Sequence, residues 1–366
     1  MVRLGDICTK QASNIKQSDL TENEGIYPIF GASGFIKNVD FYQQEKPCVA
    51  VVKDGAGVGR VIKLPAYSSA IGTMQYIIPN PGIDSSYLAY LLEYLNLSRY
   101  YTGATIPHIY FKDYSKEQII LHSEEEQRKI TRVLDHVCNL ISMRKQQLAK
   151  LDELVKARFV EMFGDTLNNT MGLPESRLDS VADIVSGITK GRKIKSAELF
   201  DVPYMAVSNV KDGYIDWTTV KTISATKDEI NQYRLKPGDV LMTEGGDPDK
   251  LGRGAIIHVP PRDCIHQNHI FRVRLDRNVV LPIYMEQYLQ HQRAKRYFLS
   301  CAKQTTGIAS INMRQLSALP MLIPSLKIQE QFDSFVNQIG KSKFSVQQSL
   351  SKLETLKKAL MQEYFK

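Results

Sequence analysis

Two stretches of this chain carry apolar residues in alternating steps of four and three. The first runs through Ile130, Leu134, Val137, Ile141, Leu148, Leu151, Val155 and Met162, with Arg144 and Arg158 in the two remaining slots. The second runs through Phe332, Val336, Ile339, Val346, Leu350, Leu353, Leu360 and Tyr364, interrupted by Lys343 and Lys357. That spacing is the mark of a helix presenting one apolar seam to a partner. Ser123 and Glu126 stand at capping-box spacing ahead of the first seam, and Gly164 supplies a stop after it. The pattern predicts a helix over 123–163, roughly 60 Å long at about 1.5 Å per residue. A second helix is predicted after Pro324 and Ser325, where Gly340 costs about 1 kcal/mol relative to alanine.

The helices are also copies of each other. At a constant offset of 202, Gln146/Gln348, Leu148/Leu350, Lys150/Lys352, Leu151/Leu353, Leu154/Leu356, Lys156/Lys358, Ala157/Ala359, Glu161/Glu363 and Phe163/Phe365 are identical. A globular segment precedes each copy, so the chain reads as two halves. One seam per helix needs a cover. Either the helices cover each other, or each stripe packs on its own globular segment, and seams of matched length favour the first.

The expected division is 1–122, 123–164, 165–323 and 324–366. The two globular segments correspond more loosely, at an offset of 190: Lys46-Pro47 with Lys236-Pro237, and Asp54-Gly55 with Glu244-Gly245. A glycine-rich turn and a small apolar strand follow the second pair, GAGVGRVI in one half and GGDPDKLGRGAII in the other. Strands are predicted at 48–52, 75–78, 240–243, 255–259 and 270–275, with short helices near 86–97 and 281–300. Each segment is thus expected to be mixed α/β with a sheet core. The change of offset implies insertions or deletions, so the two surfaces should differ.

Composition adds little to the fold and more to the setting. With 366 residues and 43% hydrophobic content there is material for two cores. The net charge of +8 is compatible with a polyanionic partner. Five scattered cysteines without a CxxC point to a reducing compartment. No signal-like apolar core opens the sequence and no run of 18 apolar residues occurs, so a cytoplasmic protein without a membrane span is expected.

Several stretches resemble the specificity (S) subunit of type I restriction–modification enzymes. They are SGITKGRK at 186–193, VPYMAVSNV at 202–210, LKPGDVLMTEGGDPDKLGRGA at 235–255, CIHQNHIFRVR at 264–274 and IPSLKIQEQF at 323–332. The order of globular segment, long helix, globular segment, long helix extends the resemblance over essentially the whole chain. The first half departs more, with His122 and Ser123 where the family usually shows prolines. The resemblance implies two α/β target-recognition domains in tandem, separated by an antiparallel intramolecular coiled coil with pseudo-twofold symmetry. It implies double-stranded DNA as ligand, each domain reading half of a split, asymmetric site. It also implies two methyltransferase (M) subunits and two restriction/translocase (R) subunits as partners. S-adenosylmethionine, ATP and Mg would belong to those partners, with no cofactor or metal and no catalysis in this chain.

Lys190, Arg192, Lys193 and Lys195 form a basic loop suited to phosphate contacts, or merely a solvated one. Lys53 and Arg60, and Lys250 and Arg253, flank the glycine-rich turns and are further candidates for DNA contact. Those turns lack GxGxxG opening a helix and lack GK[ST], so nucleotide binding is not expected. Arg293, Lys295 and Arg296 form either a second phosphate strip or the wet side of an amphipathic helix. Cys264, His266 and His269 superficially suggest metal ligands, but 269 would face away from the other two on a strand. The amides of Gln267 and Asn268 satisfy backbone groups or read adenine, for which Asn and Gln are suited. The loops 102–108 and 304–310 occupy equivalent places ahead of the two helices. No [ND]PP[YF], Walker pair, HExxH or GxSxG occurs. The rival readings are a coiled-coil protein-interaction scaffold that never touches DNA, and a self-contained methyltransferase or nuclease.

Overall fold

The structure, a computed structural model, describes residues 1–103, 106–193, 198–246, 251–305 and 308–366. It resolves into two compact units, Met1–Gln147 with Val346–Lys366, and Leu148–Ser345. These units cut across the four-part division expected from sequence, because each takes one globular segment together with part of both long helices.

In the first unit, a four-stranded antiparallel sheet has the order Cys8–Ala12, Met74–Pro79, Cys48–Val52, Val61–Leu64. The run CVAVV is buried at every position, as a central strand covered on both faces requires. Alternation sends Val49 and Val51 into the core under the helix Ser85–Tyr94, and Cys48, Ala50 and Val52 into a second cluster with Met74 and Tyr76. Asp84 caps that helix by accepting from the Tyr87 amide at 2.8 Å. A small sheet orders Gly34–Val39, Tyr27–Gly31 and Ser69–Ala70, the last pairing in parallel.

The second unit repeats this plan. Its large sheet has the order Ala182–Ser186, Ile270–Leu275, Val240–Thr243, Gly254–Ile256. Its small sheet orders Lys221–Ala225, Phe200–Met205 and Ile265–His266, again with a parallel last pair. Two expectations need correction. The strand expected over 255–259 ends at Ile256: the Ile257 amide turns to the Asp239 carbonyl at 2.8 Å, and Pro260-Pro261 cannot extend a ladder. The single helix expected over 281–300 is two, Pro282–Gln290 and Gln292–Cys301, broken where His291 is extended. This unit also carries the helix Lys227–Tyr233 and a small sheet formed by Gly245–Gly246, Ile308–Ser310 and Lys303–Thr305.

The long helices run Glu124–Phe163 and Leu326–Phe365. Ser123 Oγ accepts from the Glu126 amide at 3.3 Å, and Gly164 adopts φ +73°, so cap and stop act as the sequence indicates. Within the first unit, Ile130 and Leu134 share a core with Met361 and Phe365, and Lys145 reaches Glu354 at 3.3 Å. Within the second, Phe159 and Phe163 meet Phe332, with ring centroids 5.5 and 5.4 Å apart, and Lys343 pairs with Asp152. In each unit the helical segments therefore run antiparallel. The two candidate covers for the seams are both used, since helix packs on helix and both pack on a sheet domain. Phe159 and Phe163 serve both purposes, and Met361 and Phe365 enter the core of the first unit.

The joint between domain and helix is built from a buried glutamine in each unit. Gln127 Oε1 accepts from the Asp84 amide at 2.9 Å, and its Nε2 donates to the carbonyls of Gly82 and His122 at 3.3 and 3.0 Å. Gln329 Oε1 accepts from the Leu281 amide at 2.9 Å, and its Nε2 donates to Val279 and Pro324, both at 2.9 Å. These residues stand at the same offset of 202 as the helix repeat. Among the described residues no helix is long and apolar enough to cross a membrane.

Candidate nucleic-acid interface

In the first unit the buried central strand runs out into the turn at 53–60. The Val52 amide donates to the Arg60 carbonyl at 2.9 Å, and the Gly59 amide to the Val52 carbonyl at 2.8 Å. Gly59 has φ +84°, and a Cβ there would lie 2.3 Å from the Ser98 nitrogen, so only glycine fits. The Gly55 amide donates to Pro107 and the Ile109 amide to Lys53, both at 3.0 Å. The turn and the loop ahead of the long helix, which the sequence placed apart, are thus one surface, with residues 104–105 outside the described ones. The His108 ring pairs through Nδ1 with Asp54 and lies 4.2 Å from the Tyr110 ring, which Lys112 Nζ approaches at 5.2 Å. Tyr101, Ile106 and Tyr110 are exposed around it. Lys53 is half-buried, and the exposed Arg60 donates through Nη1 to the Ala32 carbonyl at 2.6 Å.

The second unit repeats the arrangement with different side chains. The Glu244 amide donates to the His269 carbonyl at 3.0 Å, and the Ile311 amide to the Glu244 carbonyl at 2.8 Å. Gly245–Gly246 pairs with Ser310 and Ala309. Glu244 Oε2 holds His269 Nδ1 at 2.5 Å. Arg253 is half-buried and lines a cavity of about 340 Å³ with Lys211, Tyr214 and Lys295, which unites two of the sequence candidates. Lys250 and Lys195 lie outside the described residues, as do 306–307 of the loop 304–310.

The segment 186–193 is laid across the stretch 265–268, which begins with the strand Ile265–His266. The Ile188 amide donates to His266 at 2.8 Å, the Asn268 amide to Ile188 at 3.0 Å, and Ser186 Oγ to the Asn268 carbonyl at 2.6 Å. A Cβ on Gly187 would lie 2.0 Å from the His266 oxygen, so the crossing demands glycine. Arg192 grips both oxygens of Glu229 at 2.5 Å and donates to the Ser224 carbonyl at 3.1 Å. Glu229 also caps its own helix through Thr226, and the Arg192 guanidinium holds its carboxyl below the usual range. Arg192 is therefore a staple of the basic loop rather than a free cation. Lys190 and Lys193 remain exposed on either side of Gly191. Half-buried Asn268 joins this patch through its backbone.

Other candidates fall elsewhere. Arg293 is taken up by Glu175 and by the carbonyls of Thr166 and Leu167, leaving Lys295 and Arg296 exposed on that helix. His266 is fully buried between the Tyr233 and Val185 carbonyls at 3.2 and 3.3 Å, and burial pushes its pKa down to about 4. Burial pushes the Cys264 thiol up to about 12. His269 lies apart at the surface, and the described residues hold no cluster of three metal-ligating side chains. Sequence reasoning did not single out Tyr101, Tyr110 and Lys112, whose only signal was their position beside a glycine-containing loop.

Residues 1–153 and 173–355 match the family described as type I restriction modification DNA specificity domain. The chain belongs to that family and carries two of its domains in tandem. It is 21% identical over 311 residues to the type I restriction enzyme EcoKI specificity subunit of Escherichia coli K12, a match covering 79% of this chain and 66% of that one. It is 26% identical over 196 residues to the putative MjaX specificity subunit of Methanocaldococcus jannaschii, covering 53% of this chain and 46% of the relative. The chain therefore matches about half of the archaeal relative's length. Its fold is that of the S subunit of a type I restriction–modification system from M. genitalium, with TM-score 0.59, 16% identity and coverage of 100% and 95%.

Proposed function

We propose that this chain is a non-catalytic reader of double-stranded DNA that recognises a split, asymmetric site. Each domain takes one half-site through its glycine-rich turn, the loop before its long helix and the basic groups beside them. Lys53 and Arg60 would contact phosphates in one half, and Lys190, Lys193, Lys250 and Arg253 in the other, with Asn268 at base edges. The long helices form an antiparallel coiled coil that fixes the gap between half-sites and docks two methyltransferase subunits, with two restriction/translocase subunits in the full assembly. The partners bring S-adenosylmethionine, ATP and Mg, and the methyltransferases flip the target adenine from the duplex.

The observation that supports this most is the duplication itself. Sheet order and the glutamine joint recur, while the side chains at the two tips differ. A shared frame carrying unlike tips suits two unlike half-sites. The test is to express the chain with its methyltransferase partner and map methylated adenines. A split motif with a fixed gap is expected, and a continuous palindrome would overturn the reading. Inserting seven residues into both helices should change the gap by a whole step and leave both half-sites intact.

A further inference from the structure

Both tips contain a carboxylate–imidazole pair, assembled from different parts of the chain. The carboxylates are equivalent, since Asp54 and Glu244 each precede the glycine that opens the turn. The histidines are not. His108 comes from the loop ahead of the first long helix, whereas His269 immediately precedes the strand Ile270–Leu275. In both pairs the carboxylate holds Nδ1. Neither pair is needed to close its turn. Main-chain bonds already do so, from Gly55 to Pro107 and Ile109 to Lys53 in one unit, and from Glu244 to His269 and Ile311 to Glu244 in the other. His269 keeps 55% of its side-chain surface exposed and His108 keeps 29%, and no described residue bonds either Nε2.

Fixing Nδ1 sets the ring orientation and leaves Nε2 as the working atom. It accepts a hydrogen bond when the ring is neutral and donates one when the ring carries both protons. Each pair has its own setting: the His108 ring lies 4.2 Å from Tyr110, with Lys112 approaching Tyr110 and Lys53 approaching Asp54, whereas Glu244, the partner of His269, leads directly into the glycine strand Gly245–Gly246. A side chain held at Nδ1, with Nε2 left unbonded among the described residues, suits recognition of a base edge.

We propose that His269 and His108 are specificity-determining residues, each reading one base of its own half-site through Nε2. This rests on the DNA-reading function proposed above. The test uses the full chain assembled with its methyltransferase partner on a library of randomised half-sites, read as methylated product. If the parent complex selects no split motif, the functional reading fails first, and that result is distinct from anything the variants do. His269→Asn keeps a donor for Glu244 near the Nδ1 position and removes Nε2. It should relax one position of one half-site by roughly five- to a hundred-fold, with the other half-site and the thermal midpoint unchanged. His108→Asn should do the same in the opposite half-site. If His269→Asn and His108→Asn keep the parent motif at every position, or weaken all positions alike, the rings only clamp their loops and the proposal is overturned.

Discussion

Phe365 packs its ring on Tyr87, with centroids 5.4 Å apart. The same contact recurs in the second unit, where Phe163 meets Tyr284 at 4.9 Å. The hydroxyls of the two tyrosines donate to equivalent carbonyls, Tyr87 to Ile120 at 3.1 Å and Tyr284 to Leu322 at 2.7 Å. Each domain core is therefore closed by the C-terminal end of a long helix, which in the first unit arrives from the far end of the sequence.

Removing either ring should be costly. Phe163→Ala and Phe365→Ala each empty a buried aromatic cluster, and about 3–5 kcal/mol is expected for such a loss. Chemical denaturation would read this as a lower midpoint. A loss below about 1 kcal/mol would mean the helix end is not part of the core.

The joint glutamines should be equally sensitive, for a different reason. Gln127→Leu and Gln329→Leu preserve bulk but strand one amide and two carbonyls each. One to three kcal/mol is typical per buried orphan, so about 2–4 kcal/mol of destabilisation is expected after partial relaxation. A thermal midpoint equal to the parent's would show that water replaces the side chain freely.

Two buried groups of the second unit set opposing pH dependences. Burial raises the Glu286 carboxyl from 4.5 to about 7, although it accepts from the Ile256 amide at 2.9 Å. The folded state then holds a proton that the unfolded state loses above 4.5, so stability falls as pH rises from 4.5 to 7. His266 is lowered from 6.5 to about 4, so its contribution is lost as pH falls through that range. The two slopes largely cancel between about 4.5 and 6.5. Glu286→Gln should stabilise the protein by about 3 kcal/mol at pH 7 and above, and should expose an acid-side decline that the parent masks. Unfolding midpoints measured from pH 4 to 8 would check both parts.

The basic loop separates charge from scaffold. Lys190→Ala and Lys193→Ala should leave the fold unchanged and each lower the slope of log affinity against log salt by about one for the assembled complex on DNA. Glu229→Gln should act differently: it loosens Arg192 and the capping of its helix together, so the loop's protection from proteolysis should fall. Equal behaviour of all three variants would contradict the staple assigned to Arg192.

What the sequence revealed follows from the range of the forces involved. The long helices were legible because seam, cap and stop are local, down to Ser123 and Gly164. The strands at 48–52 and 240–243 were legible as continuous apolar runs. Burial of Phe159 and Met361 was not, because both lie off the seam and are buried by residues remote in sequence, Phe159 against Tyr284 and Phe332 and Met361 in the core of the first unit. Arg192 read as a surface cation because its partner, Glu229, is remote in sequence, and Arg293 was misjudged for the same reason. The parallel pairings of Ser69–Ala70 and Ile265–His266 leave almost no pattern, since two-residue strands have no periodicity. At the tips, the turns were recognised, and His269 and the loop ending at His108 were noted, but the pairing of each histidine with the carboxylate of its turn was not, because the partners stand 54 and 25 residues apart.

The Phe365–Tyr87 contact also dictates an order of events during synthesis. Leu148–Ser345 is a continuous stretch of chain and has all of its own core once its last residue leaves the ribosome. The first domain is made earlier yet must wait for residue 365, a delay on the order of ten seconds or more at about 5–20 residues per second. The half translated first is thus finished last, and its unsealed apolar face is the one that chaperones would have to guard in a nascent chain.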